Sequence, residues 1–189
     1  MDRTSVIEFP PIPDWDALHP LIVHFPIALL LVAPLFVAIG GLLEVRAPGR
    51  GRAYLVAALV LLALGTAATF VAVETGEAAG KLTDRTEALS AVLERHESLA
   101  ETTRLVFSAL TVILAAILLV PRAFRRELPP VATAGLLGAF IVSYSAGAVL
   151  LANTAHNGGR LVHELGARAA MAPASTAALL PAPGTDRAD

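Results

Sequence analysis

Four stretches of the chain carry no Asp, Glu, Lys or Arg: residues 21–43, 53–73, 105–120 and 130–152. Each comes close to the ~20 residues with which a helix crosses a ~30 Å hydrocarbon layer. The third is the shortest, and Thr102 and Thr103 extend it at its start. Just upstream, Leu89, Val92, His96, Leu99, Thr103 and Phe107 recur at steps of three and four, while Glu94, Glu97 and Glu101 take other faces. The pattern predicts an all-α protein: an integral membrane four-helix bundle with spans at about 21–43, 53–73, 103–120 and 130–152, and a helical external segment before the third span.

The connections differ in charge. Arg46, Arg50 and Arg52 flank the first short turn, and Arg122, Arg125 and Arg126 follow the third span. The connection between spans two and three instead carries Glu74, Glu77, Asp84, Glu87, Glu94, Glu97 and Glu101 against Lys81, Arg85 and Arg95. The positive-inside rule places the basic turns in the cytoplasm, which makes the bundle N-out and C-out, a multi-pass membrane protein with both termini outside. Residues 1–17 read as an extended external arm. Its Pro-rich stretch from Phe9 to Trp15 would lie along the outer interface. Residues 18–166 form the membrane domain, and 167–189 an Ala/Pro-rich tail. A basic leader is missing and the first apolar run starts only at residue 21, so the first span is expected to stay rather than be cleaved.

Composition agrees with the lipid bilayer as first partner: 56% of the 189 residues are apolar and 16% charged. The absence of cysteine excludes disulfides, iron–sulfur clusters, thiolate metal sites and covalent c-type haem. There is no basic stripe interleaved with aromatics for nucleic acid. No GxSxG, Walker or dinucleotide fingerprint is present. No Asp, Glu, Lys or Arg lies within the four uncharged stretches, which disfavours a transporter. These features point to an electron-transfer or accessory subunit rather than a stand-alone enzyme.

What remains is histidine. His19 and His24 open span one, His96 precedes span three, and His156 and His163 follow span four, so all five fall on the outer side. His96 replaces an apolar residue on an inward stripe. If the fourth helix runs past Ala152, His156 shares a face with Val149 and Ala152 before Asn157, Gly158 and Gly159 stop the helix. Pro20 suits a helix start with His19 near the cap. Pro26 and Pro34 free the carbonyls of Ile22 and Leu30 and would bend span one, tilting His24 inward. His24, His96 and His156 are therefore the leading candidates for one site, with His19 a secondary one.

The strings HPLIVHFPIALLL at 19–31, ETGEAAG at 74–80, RHESLA at 95–100 and AHNGGRLVHELG at 155–166 resemble a bacterial family of predicted membrane proteins, domain of unknown function 2231. The resemblance covers roughly residues 18–166. It implies a four-helix membrane domain similar in plan to haem b-binding four-helix cytochromes. The matching positions are His19, His24, His96, Gly158, Gly159 and Gly166. Near the end, His163-Glu164-Leu165-Gly166 departs from the family's Tyr-x-His-Gly stretch, which weighs against a ligand role for His163.

Haem b needs one or two axial imidazoles from facing helices, an apolar slot, and donors near its propionates. His24, His96 and His156 supply the first, and Arg95, Arg104 and Arg160, on the same side, are expected at the propionates. The expected function is electron transfer at the periplasmic side, with a periplasmic electron carrier or a larger membrane complex as partner. One alternative is a mononuclear copper or zinc site on the same three histidines, supplemented by Glu74, Glu77 or Glu97. The other is a cofactor-free structural subunit, for which the small residues Ala139, Ser143 and Gly147 on span four would provide close helix packing.

Overall fold

The computed structural model describes residues 12–83, 86–126 and 128–167. A 3-10 turn at Trp15–Ala17 is followed by α1 (His19–Ile22), α2 (His24–Arg46), α3 (Arg52–Lys81), α4 (Glu87–Ala123) and α5 (Pro130–His163). The unit His19–Arg46 and each of the three later helices are long and apolar enough to cross a membrane. α2 packs on α3, α3 on α4 and α4 on α5, and α5 returns to α2, closing an up-down-up-down bundle. The helical segment predicted before the third span and that span are one continuous helix. At 1.5 Å per residue α4 is ~55 Å long, well beyond the hydrocarbon layer.

Each helix buries one stripe. On α5 it is Leu137, Phe140, Tyr144, Gly147, Leu151, Thr154, Asn157 and Leu161. On α4, Thr103, Phe107, Leu110, Leu114 and Leu118 meet it. Of the small residues expected to pack on span four, Gly147 faces inward, against Leu110, Val106 and Phe107, whereas Ala139 and Ser143 are exposed. Ser143 and Ser145 bond the carbonyls one turn back in their own helix.

Pro34 has no N–H to give to the carbonyl of Leu30, which is left inside the core. The hydroxyl of Tyr144, itself buried, donates to that carbonyl. The two residues are thus complementary halves of one helix contact. Tyr144→Phe should cost about 1–2 kcal/mol of stability, read as a shift of the unfolding midpoint in detergent. In a Pro34→Ala background, where the new backbone N–H can bond the carbonyl of Leu30, the same substitution should cost measurably less.

The two ends of the bundle are closed differently. At the basic end, the carboxylate of Glu44 accepts from the N–H groups of Gly49 at 2.9 Å and Gly51 at 3.0 Å, pinning the turn between α2 and α3. Gly49, at φ 89°, supplies the left-handed residue this turn needs. At the other end α5 does not stop at Asn157–Gly159, as its glycines predict, but runs on to His163. The left-handed residue is Gly166, at φ 66°, and the N–H groups of Leu165 and Ala167 cap the carbonyls of Arg160 and Leu161. Of the predicted extended arm, residues 1–11 lie outside the described residues, and Trp15 sits in the 3-10 turn against α3.

Candidate functional site

Where α1 begins and α5 ends, the helices part around a cavity of about 540 Å³, within the ~300–1,000 Å³ usual for cofactor and small-molecule sites. The start of α1 and α2, the second half of α3, the first half of α4 and the last turns of α5 form its wall. Small and hydroxylic side chains make room in the bundle here. Thr103 and Thr154 pair across α4 and α5 at 2.8 Å, and Thr154 passes its own proton to the carbonyl of Leu150.

Four histidines line this cavity, and two of them, His19 and His96, are half-buried. His19, at the start of α1, donates from Nδ1 to the carbonyl of Ala72 on α3 at 2.8 Å, with Thr75 Oγ1 at 3.4 Å. His96, on α4, donates from Nδ1 to the carbonyl of Thr154 on α5 at 3.0 Å. A carbonyl can only accept, so each neutral ring carries its proton on Nδ1 and leaves the Nε2 lone pair free. The ring centroids are 6.4 Å apart and the ring planes stand at 81°.

That spacing lies in the ~4.5–7 Å range of ordinary edge-to-face ring pairs, and it is also one that a shared metal would give. With a metal–nitrogen bond of ~2.0 Å and a ring centroid roughly 1 Å behind each nitrogen, two imidazoles on opposite sides of one metal have centroids about 6 Å apart. Binding a ring N–H to a backbone carbonyl is also the usual way a protein fixes a ligating histidine.

The histidine set therefore differs from the expected one. His96 faces inward, as its stripe predicts. His19 is not the cap of its helix, a position held by Leu18, but a wall of the cavity. His24 is exposed at the cavity edge. Because Pro26 cannot bond Ile22, the helix is interrupted at Val23. The ring brought inward is that of His19, five residues earlier and on another face. His156 does share a face with Val149 and Ala152, but that face is exposed. The inward positions of this turn are Thr154 and Asn157. His163 reaches the cavity rim from an exposed position. Among the described residues no group of three or more His, Asp or Glu converges as a metal site.

None of the three arginines expected at the propionates lines the cavity. Arg95 is exposed, Arg104 stacks over Phe70 at 5.3 Å, and Arg160 pairs with Glu164 at 2.9 Å. Two carboxylates, Glu77 and Glu97, do line it, although the helical phase of α4 puts Glu97 on a solvated face.

The model of the family described as predicted membrane protein (DUF2231) matches residues 15–170. No curated protein and no solved structure matches.

Proposed function

The chain belongs to the DUF2231 family of predicted membrane proteins, and within that family we propose that it is a haem b-binding electron carrier with His19 and His96 as the axial pair. One observation carries the reading. Two imidazoles, each with Nδ1 tied to a backbone carbonyl and Nε2 free, face one cavity at a centroid separation of 6.4 Å. The count of metal ligands favours haem over a bare ion, although among the described residues the cavity lining offers Glu77 and Glu97 and no arginine or lysine to the propionates. A porphyrin brings four nitrogens of its own and needs only two from the protein, whereas zinc at a closed site takes four protein ligands.

A haem held by both His19 and His96 would have no position left for a gas or substrate, which would favour electron transfer over chemistry at the iron. The chain's own residues hold the two rings and exclude water along the apolar flanks of the cavity. By the positive-inside rule the arginine-rich turns are cytoplasmic, which puts the site at the periplasmic side. With no histidine in the half of the bundle next to those turns, electron exchange stays on the outer side. The partner is then a periplasmic carrier or a larger membrane complex.

The test is an absorption spectrum of the purified protein, oxidised and dithionite-reduced, with a metal analysis. A Soret band and sharp reduced bands of a six-coordinate low-spin haem are expected. If the two rings kept their 81° angle in holding a haem, two iron dπ orbitals would be nearly degenerate. The ferric EPR signal should therefore be the strongly anisotropic, large-gmax type, not the rhombic signal of parallel planes. No Soret band, together with no stoichiometric copper or zinc, would sink the cofactor reading and leave a structural subunit.

A further inference from the structure

The two imidazoles are held by the same device. In a helix the carbonyl of each residue accepts the N–H four residues on, and the Cβ of that later residue leans back over it. An incoming side chain therefore meets a shielded oxygen. Four residues after Ala72 stands Gly76, and four residues after Thr154 stands Gly158. A Cβ on Gly76 would lie 2.9 Å from His19 Cε1 and 3.0 Å from its Nδ1. On Gly158 it would lie 3.0 Å from His96 Cε1 and 3.5 Å from its Nδ1.

Both glycines lie well inside α-helices, where propensity disfavours them, so the backbone does not ask for them. The rings do. The arrangement also repeats along the chain. A histidine-bearing helix, an arginine-flanked turn and a glycine-notched helix follow in order, with histidine and carbonyl 53 residues apart in the first hairpin and 58 in the second.

We infer that Gly76 and Gly158 are equivalent positioning residues of two half-sites, one in each helical hairpin. The side chain each lacks opens a helix carbonyl to an imidazole, which fixes the ring with Nδ1 protonated and Nε2 presented to the cavity. The use of Nε2 as an axial ligand rests on the haem reading; the fixing of the rings does not.

The test is proton and nitrogen NMR of the ¹⁵N-histidine-labelled full chain in lipid nanodiscs, as purified and under dithionite so that any haem iron is diamagnetic. Two rings, His19 and His96, should carry Nδ1–H signals protected from solvent exchange. Gly158→Ala should lose the His96 signal and keep that of His19, and Gly76→Ala the reverse. Gly159→Ala, where an added Cβ meets nothing within 4 Å, should keep both. Unprotected or Nε2-protonated rings in the unmodified chain would overturn the inference without any variant. So would either substitution leaving its ring unchanged, or erasing both rings together. Haem-free protein with both protected signals would retain the inference while removing the haem reading.

Discussion

His19→Ala and His96→Ala should each lower bound haem per chain by about a hundredfold or more. Losing only a supporting partner of a metal ligand already costs ~10–100-fold, and here the ligand itself is deleted. The measurement is the Soret absorbance per mole of protein, checked by extraction of the haem. His156→Ala is the matched control. Its ring is exposed and does not line the cavity, so its spectrum should be that of the unmodified protein. Each alanine also leaves a hole the size of the missing ring, and exogenous imidazole should restore the reduced bands in part. Full haem content in both variants would remove the ligand assignment. So would its loss in His156→Ala.

The largest effect on stability is expected at Gly51. A Cβ there would stand 1.9 Å from the carbonyl oxygen of Gly40, with the carbonyl carbon of Gly40 at 2.9 Å and the Glu44 nitrogen at 3.0 Å. All three are backbone atoms, so no rotamer change relieves the clash, and α2 and α3 must be pushed apart at this close approach. The φ of Gly51 is −78°, which any residue adopts. Closeness, not conformation, makes glycine necessary here. Gly51→Ala should therefore cost about 3 kcal/mol or more, at the upper end for overpacking, read from the unfolding midpoint in detergent. Gly138→Ala, with open space around its Cβ, should be neutral or slightly stabilising on helix propensity. A Gly51→Ala midpoint indistinguishable from that of Gly138→Ala would show that the hairpin can open at no cost.

The four spans are legible because charge is excluded from hydrocarbon, and the chain's acidic and basic residues mark their limits directly. Facing is harder to read. In a bilayer the outward surface is as apolar as the core, so Val149 and Ala152, which face out, carry the same signal as Leu151, which faces in. Periodicity groups His156 correctly with Val149 and Ala152 on α5, and that face points away from the bundle. Polar residues divide the same way, since Ser143 and His156 face out. Thr154 and Asn157 are buried, and Thr103 and Thr154 bond each other across the helices.

His19 is readable as a cap because Pro20 makes a good first turn. Rings five residues apart cannot share a helix face, however, so only one of His19 and His24 can turn inward. The glycines at 76 and 158 offer a clue to which. These two mark places where an imidazole comes close, whereas Gly138 and Gly159, also inside a helix, face open space. The helix stop expected at Asn157–Gly159 is absent for the same reason: Gly158 is a notch for His96, not a terminator. Pro34 and Tyr144 cannot be paired from the sequence, since 114 residues separate the hydroxyl from the carbonyl it serves.

The clamp that Glu44 places on the basic-end turn has a consequence for how the protein is assembled in the cell. Packing is continuous from that turn up to Leu30, Phe107 and Tyr144, and the void begins only beyond. Such a bundle works like a spring clip, with its hinge at one end and its jaws at the other. On the haem reading, insertion of the chain into the bilayer and delivery of the cofactor are then separate events. The haem-free chain should then keep its packing at the arginine-rich end, read as exchange protection of the Gly49 and Gly51 amides.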